Sequence, residues 1–203
     1  MVAKVDFKKS LKPLYDPTIK GFHIVEVHPM NFIMVDGAGN PNTSLEYQQA
    51  IEALYTISYG VKFAMKPDGF DHVVPPLEGL WWMDDMHEFT LENKYRWKWT
   101  MMIMQPEWVS LDVVEKVKNQ RMTKGGSPSI SGIRFETYSE GLSVQIMYIG
   151  AYTDEASTIK EMHRFILENG YQTKGKHHEI YLSDARKTAP EKLRTILRQS
   201  IKK

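Results

Sequence analysis

The sequence has no cysteine, which excludes disulfides, thiolate catalysis and cysteine-ligated zinc. It has almost no net charge: 26 Lys and Arg against 25 Asp and Glu leave +1, so no broad field draws it to nucleic acid or a membrane surface. No run approaches the roughly 18 apolar residues that cross a bilayer. The opening Met-Val-Ala-Lys-Val-Asp-Phe-Lys-Lys lacks the apolar core of a signal peptide. There is no P-loop, no dinucleotide glycine fingerprint after a strand and no Gly-x-Ser-x-Gly elbow; the glycines of Asp-Gly-Ala-Gly-Asn (36–40) are wrongly spaced. His163, His177, His178 and Glu179 come nearest to a metal set, but adjacent strand histidines point to opposite faces, so neither a metal nor a cofactor is expected. What is present, 203 residues with 42% hydrophobic and 25% charged content, is the profile of a folded domain. A reducing cytoplasm is the expected location.

Elements then follow in order. Residues 1–20, basic and broken by Pro13 and Pro17, read as a docking arm or short helix. Strand-type residues occupy 22–27 and 31–35. Thr43-Ser-Leu-Glu46 is a capping box, and Tyr47, Ala50, Leu54, Ile57, Val61 and Ala64 set one apolar stripe on the helix after it. Pro75-Pro76 excludes a central strand until Leu77. A strand over 95–104 ends at Pro106, and Ser110 caps a helix reaching Arg121. Gly125-Gly-Ser-Pro128 is the most linker-like stretch. A hairpin (133–138, 142–149), a helix from 153 or 154 and a strand at 177–182 complete a repeat of the same order. Val-Asp-Gly-Ala-Gly and Tyr-Ile-Gly-Ala-Tyr hold matching places before the two helices. The reading is a single α+β domain of two related halves, about 20–108 and 131–184, each a small antiparallel sheet with a helix on one face. The linker is about 122–130, and a C-terminal helix over about 188–201 is expected from Thr188-Ala-Pro-Glu191 and the Leu193, Ile196, Leu197, Ile201 stripe.

Two stretches carry candidate chemistry. Tyr95, Trp97 and Trp99 share one side of a strand, two residues apart. On His177 to Leu182, Glu179 and Tyr181 point opposite to His178 and Ile180. With His178 and Ile180 taken as facing the helices, Glu179 faces the free side of the sheet. There, desolvation among rings would raise its proton affinity, letting it pair with a cationic ligand or position a water as general base. Trp81, Trp82, Trp97 and Trp99 fall within twenty residues, four of five tryptophans, and Tyr55 and Tyr59 flank the stripe of the first helix.

These residues resemble the GyrI-like small-molecule-binding family. The resemblance covers Pro-Met-Asn-Phe-Ile-Met-Val-Asp-Gly-Ala-Gly-Asn-Pro-Asn (29–42), Glu-Ala-Leu-Tyr-Thr-Ile-Ser-Tyr (52–59) and Pro-Pro-Leu-Glu-Gly-Leu-Trp-Trp (75–82). It continues through Trp-Lys-Trp-Thr-Met-Met-Ile-Met-Gln-Pro (97–106) and 178–198. It implies a pseudo-twofold fold with a ligand cleft between the halves, a glutamate at Glu179, and a small hydrophobic or aromatic partner in place of nucleic acid or membrane. Some members of this branch are hydrolases that open the cyclopropane ring of yatakemycin-type alkylators within an aromatic cage. By that resemblance Glu179 and Tyr181 are candidate catalytic residues, and Trp82, Trp97, Trp99, Tyr55, Tyr59 and Trp81 candidate ligand-binding residues. A binding-only sink or sensor, or an accessory protein acting by contact, are the alternatives; oligomeric state is not encoded legibly.

Overall fold

The computed structural model describes residues 4–86, 89, 90 and 92–203. One eight-stranded antiparallel sheet organises it. In chain order the strands are β1 (His23–Val27), β2 (Met30–Ala38), β3 (Leu77–Trp82), β4 (Lys98–Gln105), β5 (Arg134–Tyr138), β6 (Gly141–Ile149), β7 (Gln172–Tyr181) and β8 (Arg194–Lys202). Their spatial order is β1-β6-β8-β7-β3-β4-β2-β5. Exchanging each strand with its counterpart four places on reverses this order onto itself. The halves are therefore related by a pseudo-twofold axis between β3 and β7, and each contributes its first strand to the other half's edge. The α+β reading of two pseudo-symmetric halves holds. At the seam, Gly79 lies opposite Glu179 and Leu77 opposite Tyr181.

The helices are α1 (Phe7–Ser10), α2 (Lys12–Tyr15), α3 (Leu45–Met65), α4 (Leu111–Thr123) and α5 (Ala156–Glu168). α3 begins one residue later than the expected cap: the Ser44 hydroxyl, not that of Thr43, accepts the Tyr47 N–H at 3.2 Å. Its stripe of Ala50, Leu54, Ile57 and Val61 is buried on Ile33 and Val35 of β2 and Met101 and Ile103 of β4. α5 buries Met162 and Ile166 on Val144, Ile146, Leu197 and Ile201. Each fully buried aliphatic side chain of this kind stabilises by about 1.5–3 kcal/mol. Both long helices thus cover one face of the sheet, with a gap over the β3–β7 seam. The other face carries Phe32, Met34, Leu80 and Met102 beneath Phe7 and Leu11, and Ile180 and Ile196 beneath Leu14 and Tyr15. The N-terminal arm is the strap over that face.

Three expectations are corrected here. The runs at 133–138 and 142–149 are strands but not a hairpin: β5 crosses to pair with β2 at one edge of the sheet, while β6 lies between β1 and β8 near the other, because each half gives its first strand to its counterpart. Residues 194–202 form β8, not a helix; the capping pattern yields only a 3-10 turn over Pro190–Lys192. β8 lies between β6 and β7 and is buried on both faces, so it shows no two-residue alternation, and its apolar spacing imitates a helical stripe. Arg198, off the apolar stripe of the expected helix, is 1% exposed. The facing of β7 is also reversed. Glu179 points to the helix side, and His178 points to the arm side.

That arm-side face contains a closed ionic network. The Tyr15 hydroxyl donates to Glu78 Oε1 at 2.8 Å, and the His178 ring bridges Glu78 and Glu140 at 3.0 Å on each side. Arg198 donates to Glu140 (3.3 Å), to Gln145 (2.9 Å) and to the Leu14 carbonyl (2.7 Å). Burial opposes both charges, yet Glu140 and Glu78 hold the His178 proton up to about 9, while His178 and Arg198 hold Glu140 down to about 2. These bonds tie the arm to β3, β7 and β8 across the pseudo-twofold seam.

Candidate functional site

The gap between α3 and α5 opens into a cleft of about 1950 Å³. Drug-sized ligands occupy pockets of about 300–1,000 Å³, so the cleft accommodates such a molecule with room to spare. Its floor is the β3–β7 seam, where Trp81, Glu179 and Tyr181 point up between the helices. Tyr47, Ile51 and Tyr55 line it from α3; Tyr152, Glu155, Ile159 and His163 line it from α5 and the turn before it. Phe89 and Trp97 close one end.

The rings brace one another. Tyr47 lies 5.9 Å from Trp81 and edge-on to Trp99 at 5.2 Å. Trp81 meets Trp97 edge-on at 5.7 Å, Trp97 stacks on Phe89 at 4.4 Å, and Tyr152 stands edge-on to Tyr181 at 5.7 Å. These are the separations at which aromatic pairs attract. A hydrogen-bond chain crosses the floor: Trp81 Nε1–H donates to the Tyr181 hydroxyl at 2.9 Å, which donates to Glu179 Oε2 at 2.8 Å. Gly79 makes this possible, because a Cβ there would come within 2.7 Å of Trp81 Nε1 and 3.1 Å of the Tyr181 oxygen.

Glu179 is 8% exposed and is paired with a second buried carboxyl, Glu155, also 8% exposed and within hydrogen-bonding reach of it. Glu155 is pushed up to about 10, first by burial and then by the charge of Glu179. Burial also works against ionisation of Glu179, but the neighbouring His177, the Tyr181 hydroxyl bond and the adjacent Glu155 outweigh it and hold that carboxyl below its usual range. The pair thus keeps one proton at neutral pH, on Glu155, and one negative charge, on Glu179. Two carboxyls driven apart in this way supply an acid and a base side by side. The Tyr181 hydroxyl, raised far above its usual range by burial and by Glu179, stays protonated and acts as a donor.

Of the sequence-predicted residues, Glu179, Tyr181, Trp81, Trp97, Tyr55 and Tyr59 all line the cleft. Two do not. Trp82 faces the arm side, where Lys176 Nζ sits 3.3 Å from its ring centroid; the strand alternation that turns Trp81 inward turns Trp82 away. Trp99 is 0% exposed and packs on Gly37, where a Cβ would fall 2.1 Å from its ring, so it supports Tyr47 from below. Tyr95, expected in the same row, is in the 3-10 turn Lys94–Arg96 and is exposed.

Glu155, Tyr47 and Tyr152 were missed as site residues. Asp154-Glu155 before a helix reads as ordinary N-terminal acidity, and Tyr47 reads as part of the α3 stripe. Tyr152 falls in Tyr-Ile-Gly-Ala-Tyr, which the repeat marks only as the counterpart of Val-Asp-Gly-Ala-Gly before a helix. Among the described residues, no helix is long and apolar enough to cross a membrane, and no group of three or more His, Asp or Glu side chains is placed to hold a metal ion.

Three Listeria innocua structures are similar over 98% of this chain and 100% of theirs. One, an uncharacterized conserved protein, is 41% identical with a TM-score of 0.91; another, described as a hydrolase, is 40% identical with a TM-score of 0.86. The C-terminal domain of EcmrR shares the fold at 11% identity and a TM-score of 0.57, over 90% of this chain and 98% of its own. No curated protein matches the chain significantly. The GyrI-like small-molecule-binding domain matches residues 21–199, and the chain belongs to that family.

Proposed function

We propose that this protein binds flat, hydrophobic aromatic compounds in the cleft and hydrolyses a strained electrophilic ring on them, of the cyclopropane type, as detoxification. The observation that carries the reading is the Glu155–Glu179 pair, one carboxyl protonated and one ionised, beneath aromatic walls. The 40% identity to a protein described as a hydrolase supports the reaction class.

Stacking between Tyr47, Trp81 and Trp97 would hold the planar system over the two carboxyls. Glu179 takes a proton from water as its oxygen bonds to a cyclopropane carbon. The breaking C–C bond sends its electron pair into the conjugated ring, onto the carbonyl oxygen, which becomes a phenol by taking the proton of Glu155. The proton now on Glu179 then passes back to the adjacent Glu155. One water is consumed and both groups are restored. Tyr181, whose hydroxyl proton is engaged by Glu179, holds the base in place.

The test is Glu179→Gln with a cyclopropane-bearing aromatic substrate, followed by product mass. Loss of a general base predicts a fall of about 10²–10⁴-fold in turnover, with tryptophan quenching by the ligand retained. A variant that turns over at the parental rate refutes the mechanism. The rival reading, a sink or sensor, rests on the family's binding description and predicts that every compound is recovered unchanged.

A further inference from the structure

His177 is buried, 2% exposed, two residues before Glu179 on the same face of β7. Among the described residues, neither ring nitrogen has a hydrogen-bond partner. Its cross-strand neighbours are Trp81 and Gln199, and the Gln199 amide N–H groups already donate to the Lys174 and Ser200 carbonyls. Nε2 lies 3.5 Å from Glu179 Oε1, an ion-pair distance longer than a hydrogen bond. A buried unsatisfied imidazole is costly, and an aliphatic side chain would fill the same place without that cost. Catalytic hydrogen bonds are often long in the empty site and shorten once the ligand is bound.

We infer that His177 is a positioning residue whose Nε2–H closes onto Glu179 Oε1, fixing the base from the side opposite Tyr181. Tyr181 holds Oε2 and His177 holds Oε1, so the carboxylate cannot rotate away from the floor of the cleft. The other titratable groups facing this pair are Glu155 and Tyr152 before α5, His163 on α5, Tyr47 on α3 and Tyr181 on β7. His177 is also the neighbour that does most to lower the Glu179 carboxyl against its burial. As a statement about turnover the inference rests on the acid–base reading of Glu179; as a statement about the carboxylate it does not.

The experiment is a ¹³C-carboxyl NMR titration of Glu179 in the parent, His177→Leu and His177→Gln, the resonance being assigned with Glu179→Gln. Leucine removes the donor, and the Glu179 midpoint is expected to rise by about one pH unit, a tenfold change in proton affinity. Glutamine presents an amide donor to the same oxygen and is expected to keep the parental midpoint within a few tenths of a unit. If His177→Leu does not fold, His177→Met, whose flexible side chain adapts to the site, takes its place. A parental midpoint in the donorless variant, or an equal rise in the glutamine variant, overturns the inference. In parallel, the acid limb of kcat/KM on the cyclopropane substrate should move with the NMR midpoint. Absence of turnover in every protein, with the midpoint shifted as expected, would sink the hydrolase reading and leave the positioning role standing.

Discussion

Replacing Glu155 by glutamine should stabilise the protein at neutral pH and above, and should flatten the dependence of its stability on pH. Glu155 titrates at about 10 in the folded chain against an ordinary carboxyl value of 4.5. Its proton is held more tightly folded than unfolded, so its stabilising contribution is fully present below the unfolded value and is lost as pH rises toward 10. Each pH unit within that window removes about 1.4 kcal/mol. Two and a half units separate 4.5 from neutrality, so about 3 kcal/mol has gone by pH 7. That is a large share of the roughly 5–15 kcal/mol that holds a domain together. Glutamine keeps the shape, cannot ionise and donates an N–H toward Glu179. Urea unfolding of parent and Glu155→Gln at pH 5, 6, 7 and 8 measures the effect. The difference between them should widen by about 1.4 kcal/mol per unit in favour of glutamine, while turnover falls. Curves that run parallel across that range would refute a buried, proton-retaining Glu155 and with it the acid of the proposed mechanism.

In the arm-side network, Glu140→Gln leaves buried Arg198 and His178 short of a counter-charge, and should cost about 3–5 kcal/mol by chemical denaturation. The parental network should itself weaken at both extremes: Glu140, depressed to about 2, contributes above 4.5 and loses that as pH falls toward 2. His178, raised to about 9, contributes below 6.5 and loses that as pH rises through 9. Gly79→Ala drives a Cβ against Trp81 and Tyr181; ligand quenching should weaken at least tenfold with the fold retained by circular dichroism. Trp97→Ala should weaken binding by at least an order of magnitude in a calorimetric titration, because it takes one ring from the cleft, whereas Trp82→Phe should leave affinity within twofold because that ring lies on the other side of the sheet.

The periodic elements were legible because their signals are local. α3 follows from a cap and a stripe, and β5 and β6 from two strand-type runs, but the hairpin those runs suggested does not form: β5 pairs β2 and β6 pairs β1 and β8, because the swap of first strands between the halves is not visible locally. Relative facing within β7 was equally plain: Glu179 with Tyr181, opposite Ile180. β8 was not legible, because a strand buried on both faces loses its alternation, and proline with glutamate after a threonine looks like a helix start wherever it occurs. Arg198 compounded the error, since a basic side chain is placed in solvent unless its partners are known, and those partners lie on β6, in the turn before it and in the arm.

The residues by themselves determined that this chain folds as two similar α+β halves, that it carries a concentration of rings, and that Glu179 shares a face with Tyr181. Those are properties of spacing along one segment. Only the tertiary structure decided which face of the sheet the helices cover, that Trp81 and Trp97 look into the cleft while Trp82 and Trp99 do not, and that Glu155 meets Glu179. The physical reason is that a carboxyl acquires its proton affinity from what surrounds it after folding. Glu155 and Glu179 come from different elements, and only the packing of α5 over the β3–β7 seam removes water from both of them together.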